Sequence, residues 1–311
     1  MTITKLSLSL ISAALTLTLA PAIAAAEAPA NIEIAGSDNT TLDARIYLPD
    51  GLEAGAPAVI MAHGCGGMWS NDDPSAGAIN EIERWGLELS AQGYVAIAVD
   101  SYGGRTPEGV AWVDFQYQCS GSTYAGDVDP YTDRVDDLDA ALSFLVDVHE
   151  VGEVALFGWS QGAQAVMVAI AETPRDANVA YGTPPTYGAA VAYYPGCGSA
   201  LGYGLSSTKD GYWRPARPMR LHQGTADSLY ANCDRRADNA IANYASGPAS
   251  AHPLTWVEYA GVGHSFDNTG GHAFPTAKCS ASELADPSLA KSCAQRDADV
   301  DSLAFVLAEI N

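Results

Sequence analysis

The chain has 311 residues, 48% of them hydrophobic and 17% charged. That composition excludes disordered and fibrous classes and is enough to bury a sizeable core. With 37 acidic residues against 15 basic ones, its formal net charge of -22 argues against nucleic acid or anionic lipid as partners and reads as a solubility device.

The first residues bear on compartment. A single Lys5 precedes an apolar stretch from Leu6 to Leu19, and small residues follow around Ala22-Ile23-Ala24. This is the pattern of a secretory leader over residues 1–24, which predicts an exported protein, periplasmic or secreted. The stretch is too short to span a membrane, and no other apolar run approaches the about 20 residues required, so no stable insertion is expected. Export makes disulfides the default for Cys65, Cys119, Cys197, Cys233, Cys279 and Cys293. Spacing leaves their pairing open. No C-x-x-C occurs and the six histidines do not cluster near the cysteines at ligand spacing, so no metal is expected.

In chain order, "LDARIYLP" alternates as a half-exposed strand, while "APAVIMA" and "YVAIAVD" are short apolar runs suited to strands buried on both faces. Between them, Ala78, Ile82, Trp85 and Leu89 recur at helical spacing. Asp133 to His149 predicts a helix with Leu138, Leu142 and Leu145 on one stripe. Then follow a strand "EVALFGW", a helix from Gln161 to Ala171, strands "YGAAVAYYP" and "RPMRLHQG", a weaker helix from Asn232 to Tyr244, a strand "PLTWVEY", and a last helix carrying Val300, Leu303, Leu307 and Ile310. Strands alternating with helices predict one α/β domain over residues 25–311 with a mostly parallel sheet. Segments near 106–129 and 195–217 read as insertions above the sheet. Their aromatic residues (Trp112, Phe115, Tyr117, Tyr124, Tyr131, Tyr203, Tyr212, Trp213) either line a groove or pack the insertions.

Gly158-Trp159-Ser160-Gln161-Gly162 matches G-x-S-x-G with a strand before it and a helix after it, the context that makes the serine a nucleophile. A serine hydroxyl needs a base, and the base an orienting acid, here in the order Ser, acid, His. Asp227 in "GTADS" follows a strand and is preferred to Asp234 and Asp238, which fall in a helical pattern. His264 in "GHSFD" follows the last strand and is preferred to His272, His252 and His222. In the glycine-rich turn His63-Gly64-Cys65-Gly66-Gly67, the main chain of Cys65 is the expected oxyanion donor. The acids Asp127, Asp129, Asp133, Asp136 and Asp137 read as a solvated helix start rather than a calcium loop, because the glycine and closing glutamate of an EF-hand are missing.

At these residues the chain resembles the dienelactone hydrolase family of the α/β-hydrolase superfamily. The resemblance rests on "HGCGG", "AVDSYGGR", the helix bearing Arg134 and Asp137, "GWSQGA", "YPGC", "GTAD" and "GHSFD", between Ala58 and Asp267. It implies a sheet of about eight strands, a Ser160–Asp227–His264 triad, and main-chain oxyanion donors at Cys65 and Gln161. It also implies the pairs Cys65–Cys119, Cys197–Cys233 and Cys279–Cys293. Founding members carry a cysteine nucleophile where this chain has Ser160, and a glutamate where it has Gly64. Of the two arginines that hold their substrate's carboxylate, Arg105 matches one with a one-residue offset, and Asn268 stands where the second would be.

The sequence therefore predicts a serine hydrolase cleaving carboxylic esters through an acyl-enzyme, needing no cofactor and acting as a monomer, with Arg105 and Trp159 as candidate substrate-binding residues. The alternatives are a polymer-ester or peptide-bond hydrolase using the same triad, and a binding protein on a hydrolase scaffold.

Overall fold

The computed structural model describes residues 27–119, 128–171, 187–197, 213–244, 254–268 and 273–311. The expected leader, Tyr124, Tyr203, Tyr212, Asp127, His252 and His272 lie outside the described residues.

Eight strands form one sheet in the order β1-β2-β4-β3-β5-β6-β7-β8. They are β1 (Ala30–Ala35), β2 (Thr41–Tyr47), β3 (Ala58–Ala62), β4 (Val95–Asp100), β5 (Val154–Trp159), β6 (Ala189–Tyr193), β7 (Met219–Gly224) and β8 (Leu254–Tyr259). β1 and β2 pair antiparallel with each other, and β2 antiparallel with β4; every other pairing is parallel. The helices are α1 (Asn80–Ala91), α2 (Trp112–Phe115), α3 (Asp133–His149), α4 (Gln161–Ala169), α5 (Tyr230–Tyr244), α6 (Ala281–Leu284) and α7 (Ala290–Glu309). Among the described residues, no helix is long and apolar enough to cross a membrane.

The continuous apolar runs exist because both faces of the sheet are covered. In β3, Ala58, Ile60 and Ala62 pack toward one core with Leu138, Leu145, Val166 and Ala237 of α3, α4 and α5. Val59 and Met61 point the other way, toward Ile82, Trp85 and Leu89 of α1 and Ala298 and Val306 of α7. Period-two alternation thus divides one strand between two hydrophobic layers.

Strand β1 was not among the sequence expectations. Of its residues only Ile34 is buried, with Ile32 packed partly against the core, an alternation of two residues too short to mark a strand by itself. The expected helix from Asn232 begins two residues earlier, at Tyr230, and that from Gln161 stops at Ala169.

Across β5 to β8 runs a row of stacked rings. Trp159 lies 5.7 Å from Tyr193, Tyr193 5.1 Å from His222, and His222 5.9 Å from Tyr259, with interplanar angles of 16°, 23° and 18°. Burial, with help from Arg220 and Lys278, pushes the His222 imidazole down to about 3, so it sits in the row as a neutral ring.

Three disulfides join Cys65 to Cys119, Cys197 to Cys233 and Cys279 to Cys293, the same pairs the family resemblance implies. The third closes a 14-residue separation and ties Cys279, ahead of α6, to the first turn of α7 at Cys293. Restricting the unfolded chain over such a loop contributes about 3 kcal/mol. Replacing Cys279 and Cys293 together by serine is expected to lower the urea-unfolding free energy by about 2–4 kcal/mol. An unchanged midpoint and slope would show that the bond adds nothing.

Candidate active site

Strand β5 ends at Trp159, and α4 starts at Gln161, leaving Ser160 alone in the corner at φ 51° and ψ -111°. A non-glycine residue held at positive φ costs energy that the surroundings must supply. The flanking glycines explain how the turn fits. A Cβ on Gly158 would stand 2.6 Å from the Gly162 carbonyl, and one on Gly162 would stand 2.1 Å from the Ala62 carbonyl oxygen. No side chain is possible at either place, so α4 can press its first turn directly onto β3 and β5. The Ser160 N–H is held by the Tyr193 carbonyl at 3.0 Å.

Ser160 Oγ lies 2.9 Å from His264 Nε2, and His264 Nδ1 lies 2.7 Å from Asp227 Oδ2. Asp227 also accepts from the Leu229 N–H at 2.9 Å and from Gln223 Nε2 at 2.8 Å. Burial works against its charge, but the bonds from His264, the Leu229 N–H and Gln223 outweigh it and hold the carboxyl below its ordinary value. The Tyr194 ring meets the His264 imidazole edge to face at 4.7 Å. Ser160, Asp227 and His264 stand at the carboxyl ends of β5, β7 and β8, where a parallel sheet collects its loops. The rival acids Asp234 and Asp238 are on α5. The rival His222 is inside β7, bonded to Tyr259 and Ser302.

The glycine-rich turn after β3 arches over the serine. A Cβ on Gly64 would lie 3.6 Å from Ser160 Cβ, so the backbone of Gly64 and Cys65 is the nearest wall. Arg134, buried on α3, donates to the His63 carbonyl at 2.6 Å and to Gln161 Oε1 at 3.1 Å. One guanidinium thereby spans the turn and the first residue of α4. Tyr102 adds its hydroxyl to the same Gln161 oxygen. His63 is kept neutral by burial and by Arg134. Its Nδ1 donates to the Gly64 carbonyl while Nε2 accepts the Ser101 N–H. The Cys65–Cys119 bond anchors the turn from the outside. The N–H of Gln161, first in its helix, belongs to the first turn, where backbone N–H groups have no intrahelical acceptor.

Ser160 and His264 open into a cavity of 590 Å³ that Trp159, Tyr194, Glu81 and Asn268 also line. Trp159 is 1% exposed, and its indole N–H is bound to Asp267 at 2.6 Å. Arg105 is not brought to the cavity. Its guanidinium forks onto Asp137 at 2.7 and 2.9 Å and also reaches Asp38 and the Ser101 carbonyl. An arginine satisfied in this way braces β4 against α3. The described aromatics of the two insertions do not reach the cavity either. Phe115 and Trp213 are fully buried and Tyr131 nearly so, while Tyr117 faces outward. In the acidic stretch, Asp129 and Asp133 accept backbone N–H groups at the entry to α3.

Two residues of the site were given no role in the sequence, Arg134 being named only as part of a motif and Glu81 not at all. Arg134 stands four residues before Leu138 and shares its buried stripe, a position where a charge signals a specific partner. Glu81 precedes the core residue Ile82 and reads as the polar side of an amphipathic helix; in the structure it is 8% exposed.

A family model, described as the dienelactone hydrolase family, matches residues 42–289. The chain belongs to that family. It is accordingly an α/β-hydrolase of the carboxylic ester hydrolase type. No curated protein matches the chain. Among solved structures it is similar to a candidate dienelactone hydrolase from Klebsiella pneumoniae, at 15% identity and TM-score 0.57 over 90% of this chain and 99% of that one. It is similar also to a propionate-bound esterase from Thermogutta terrifontis, at 16% and 0.56 over 93% and 96%. A third likeness is to an esterase of Pyrococcus furiosus, at 15% and 0.52 over 91% and 94%.

The depressed Asp227 carboxyl makes the site a contributor to acid stability. Its pairing stabilises the fold fully above the ordinary carboxyl value, near 4, and is lost as pH falls through its lower folded value. The stability difference between wild type and Asp227→Asn is therefore expected to be largest near pH 6 and to shrink steadily toward pH 2. Urea unfolding at stepped pH measures it, and a gap that widens on acidification would contradict the assignment.

Proposed function

We propose that the chain is an exported serine esterase in which Ser160, His264 and Asp227 act as nucleophile, base and orienting acid. The observation that carries this reading is the unbroken hydrogen-bonded run from Asp227 through His264 to the hydroxyl of a strained serine. His264 Nε2 takes the Ser160 proton as Oγ attacks the ester carbonyl, and the developing oxyanion is met by the N–H groups of Cys65 and Gln161. The imidazolium returns that proton to the departing alkoxide, leaving an acyl-serine. A water then loses its proton to His264, attacks the acyl carbon and releases the acid while Ser160 is reprotonated. Asp227 stays ionised throughout and fixes the tautomer that leaves Nε2 free to accept.

Export is supported by the leader-like residues 1–24 and by three disulfides, which persist in oxidising compartments. The cavity of 590 Å³ has the size of a small-molecule site, which favours a small ester over a polymer chain.

Intact-protein mass after fluorophosphonate treatment, run beside hydrolysis of p-nitrophenyl acetate, butyrate and octanoate, tests the reading. Wild type should take one adduct and Ser160→Ala none, with kcat reduced about 10⁴-fold or more in the variant. No adduct, together with equal rates in both proteins, would leave a binding protein on a hydrolase scaffold as the better description.

A further inference from the structure

The cavity beside Ser160 carries a charge that ester cleavage does not require. Glu81, on the first turn of α1, lines the same space as Ser160 and His264. It is nine-tenths buried, and its carboxyl has its own backbone N–H and the nearby charge of Arg84 but no hydrogen bond from a described side chain. A buried carboxyl this thinly satisfied is costly, and a donor brought into the cavity would relieve it.

The neighbouring cation is already occupied. Arg84, one turn along α1, lies 3.1–3.2 Å from both carboxylate oxygens of Asp299 and donates to the Asp267 carbonyl at 3.4 Å. Asp267 in turn is held by the Tyr194 hydroxyl and the Trp159 indole. Glu81, Asp267 and Asp299 therefore share one guanidinium, and Glu81 has the least of it. The described lining of the cavity contains neither lysine nor arginine. Arg105 is turned away onto Asp137, and Asn268 at the rim is uncharged.

Building on the reading that Ser160 cleaves esters, we infer that Glu81 determines specificity. It selects substrates whose acyl chain carries an ammonium or hydroxyl donor and rejects those whose chain carries a carboxylate. A donor group gives Glu81 the side-chain-type hydrogen bond that its own backbone N–H does not replace, and an ammonium adds a counter-charge. A substrate carboxylate meets the opposite: a like charge in front of it and, His264 apart, amide and hydroxyl side chains with no lysine or arginine among the described lining. Burial and the Asp267 carboxylate push Glu81 up to about 7. Near neutral pH it can thus answer a hydroxyl in either protonation state and ionise against an ammonium.

Three p-nitrophenyl esters of matched length test this: hexanoate, 6-aminohexanoate and the adipate half-ester. In wild type, kcat/KM is expected to fall in the order 6-aminohexanoate, hexanoate, adipate half-ester, with roughly tenfold or more between the first and last, the scale of one partly screened charge contact. In Glu81→Gln the three values should converge to within about threefold. An adipate half-ester hydrolysed as well as hexanoate by wild type, or a spread left intact in Glu81→Gln, would overturn the inference. The wild-type order decides even if the variant does not fold. Turnover that persists in Ser160→Ala, or is absent with all three esters, would overturn the esterase reading itself and this inference with it. Ser160-dependent turnover in the wrong order would overturn the specificity alone.

Discussion

How closely α4 is allowed to approach β3 decides the geometry of everything around the cavity. At Gly162 there is no space for even a methyl group against the Ala62 carbonyl, and that contact sets the angle at which the helix leaves the strand. The same contact drives Ser160 into a backbone conformation that it would not adopt alone. The cost of the strained serine is met by burial on both sides of the sheet, by the Tyr193 carbonyl that holds its N–H, and by helix α4 as a whole. A looser helix would relieve the serine and lower it away from His264.

Charge is handled differently on the two sides of that corner. Toward α3, a single buried Arg134 is met by neutral acceptors, a carbonyl and an amide oxygen, and it binds the glycine-rich turn after β3 to the helix start. Toward α1 and α7, Arg84 is surrounded by acids, and burial with mutual repulsion pushes the carboxyl of Asp299 up to about 7 despite Arg84 beside it. The first arrangement is balanced and serves as a brace. The second is overloaded with negative charge, and the excess surfaces at Glu81 inside the cavity. Buried ions without full compensation are poor devices for stability, which is a reason to look for their meaning in binding.

Much of this was legible in the sequence. The doubly buried strands announced themselves as apolar runs, and the glycines around Ser160 could be read as a tight corner because a strand precedes them and a helix follows. Asp227 and His264 were found from order and from their places after strands. What escaped reading has a common cause. Strand β1 pairs along its length with β2 and adds only Ile34, with Ile32 beside it, to the core, too short an alternation to mark a strand. Arg105 was read for its charge, but its neighbours Asp137 and Asp38 come from distant parts of the chain and decide what that charge does. Glu81 was hidden because a helix can bury a polar residue at the edge of its apolar stripe whenever a third element covers it. Periodicity describes one helix against one surface, whereas Glu81 lies where α1 meets the loop carrying His264.

The row of rings from Trp159 to Tyr259 has an optical consequence. Four parallel or nearly parallel chromophores, fixed at 5.1 to 5.9 Å across four adjacent strands, couple their transitions. The row begins at the residue preceding Ser160 and ends on β8, whose loop carries His264. Any slippage between those strands changes the spacing and tilt of the rings. The molecule thus contains a spectroscopic gauge of its own floor, in which the near-ultraviolet circular dichroism of a buried tryptophan and two tyrosines reports whether the strands that carry the site are still in register.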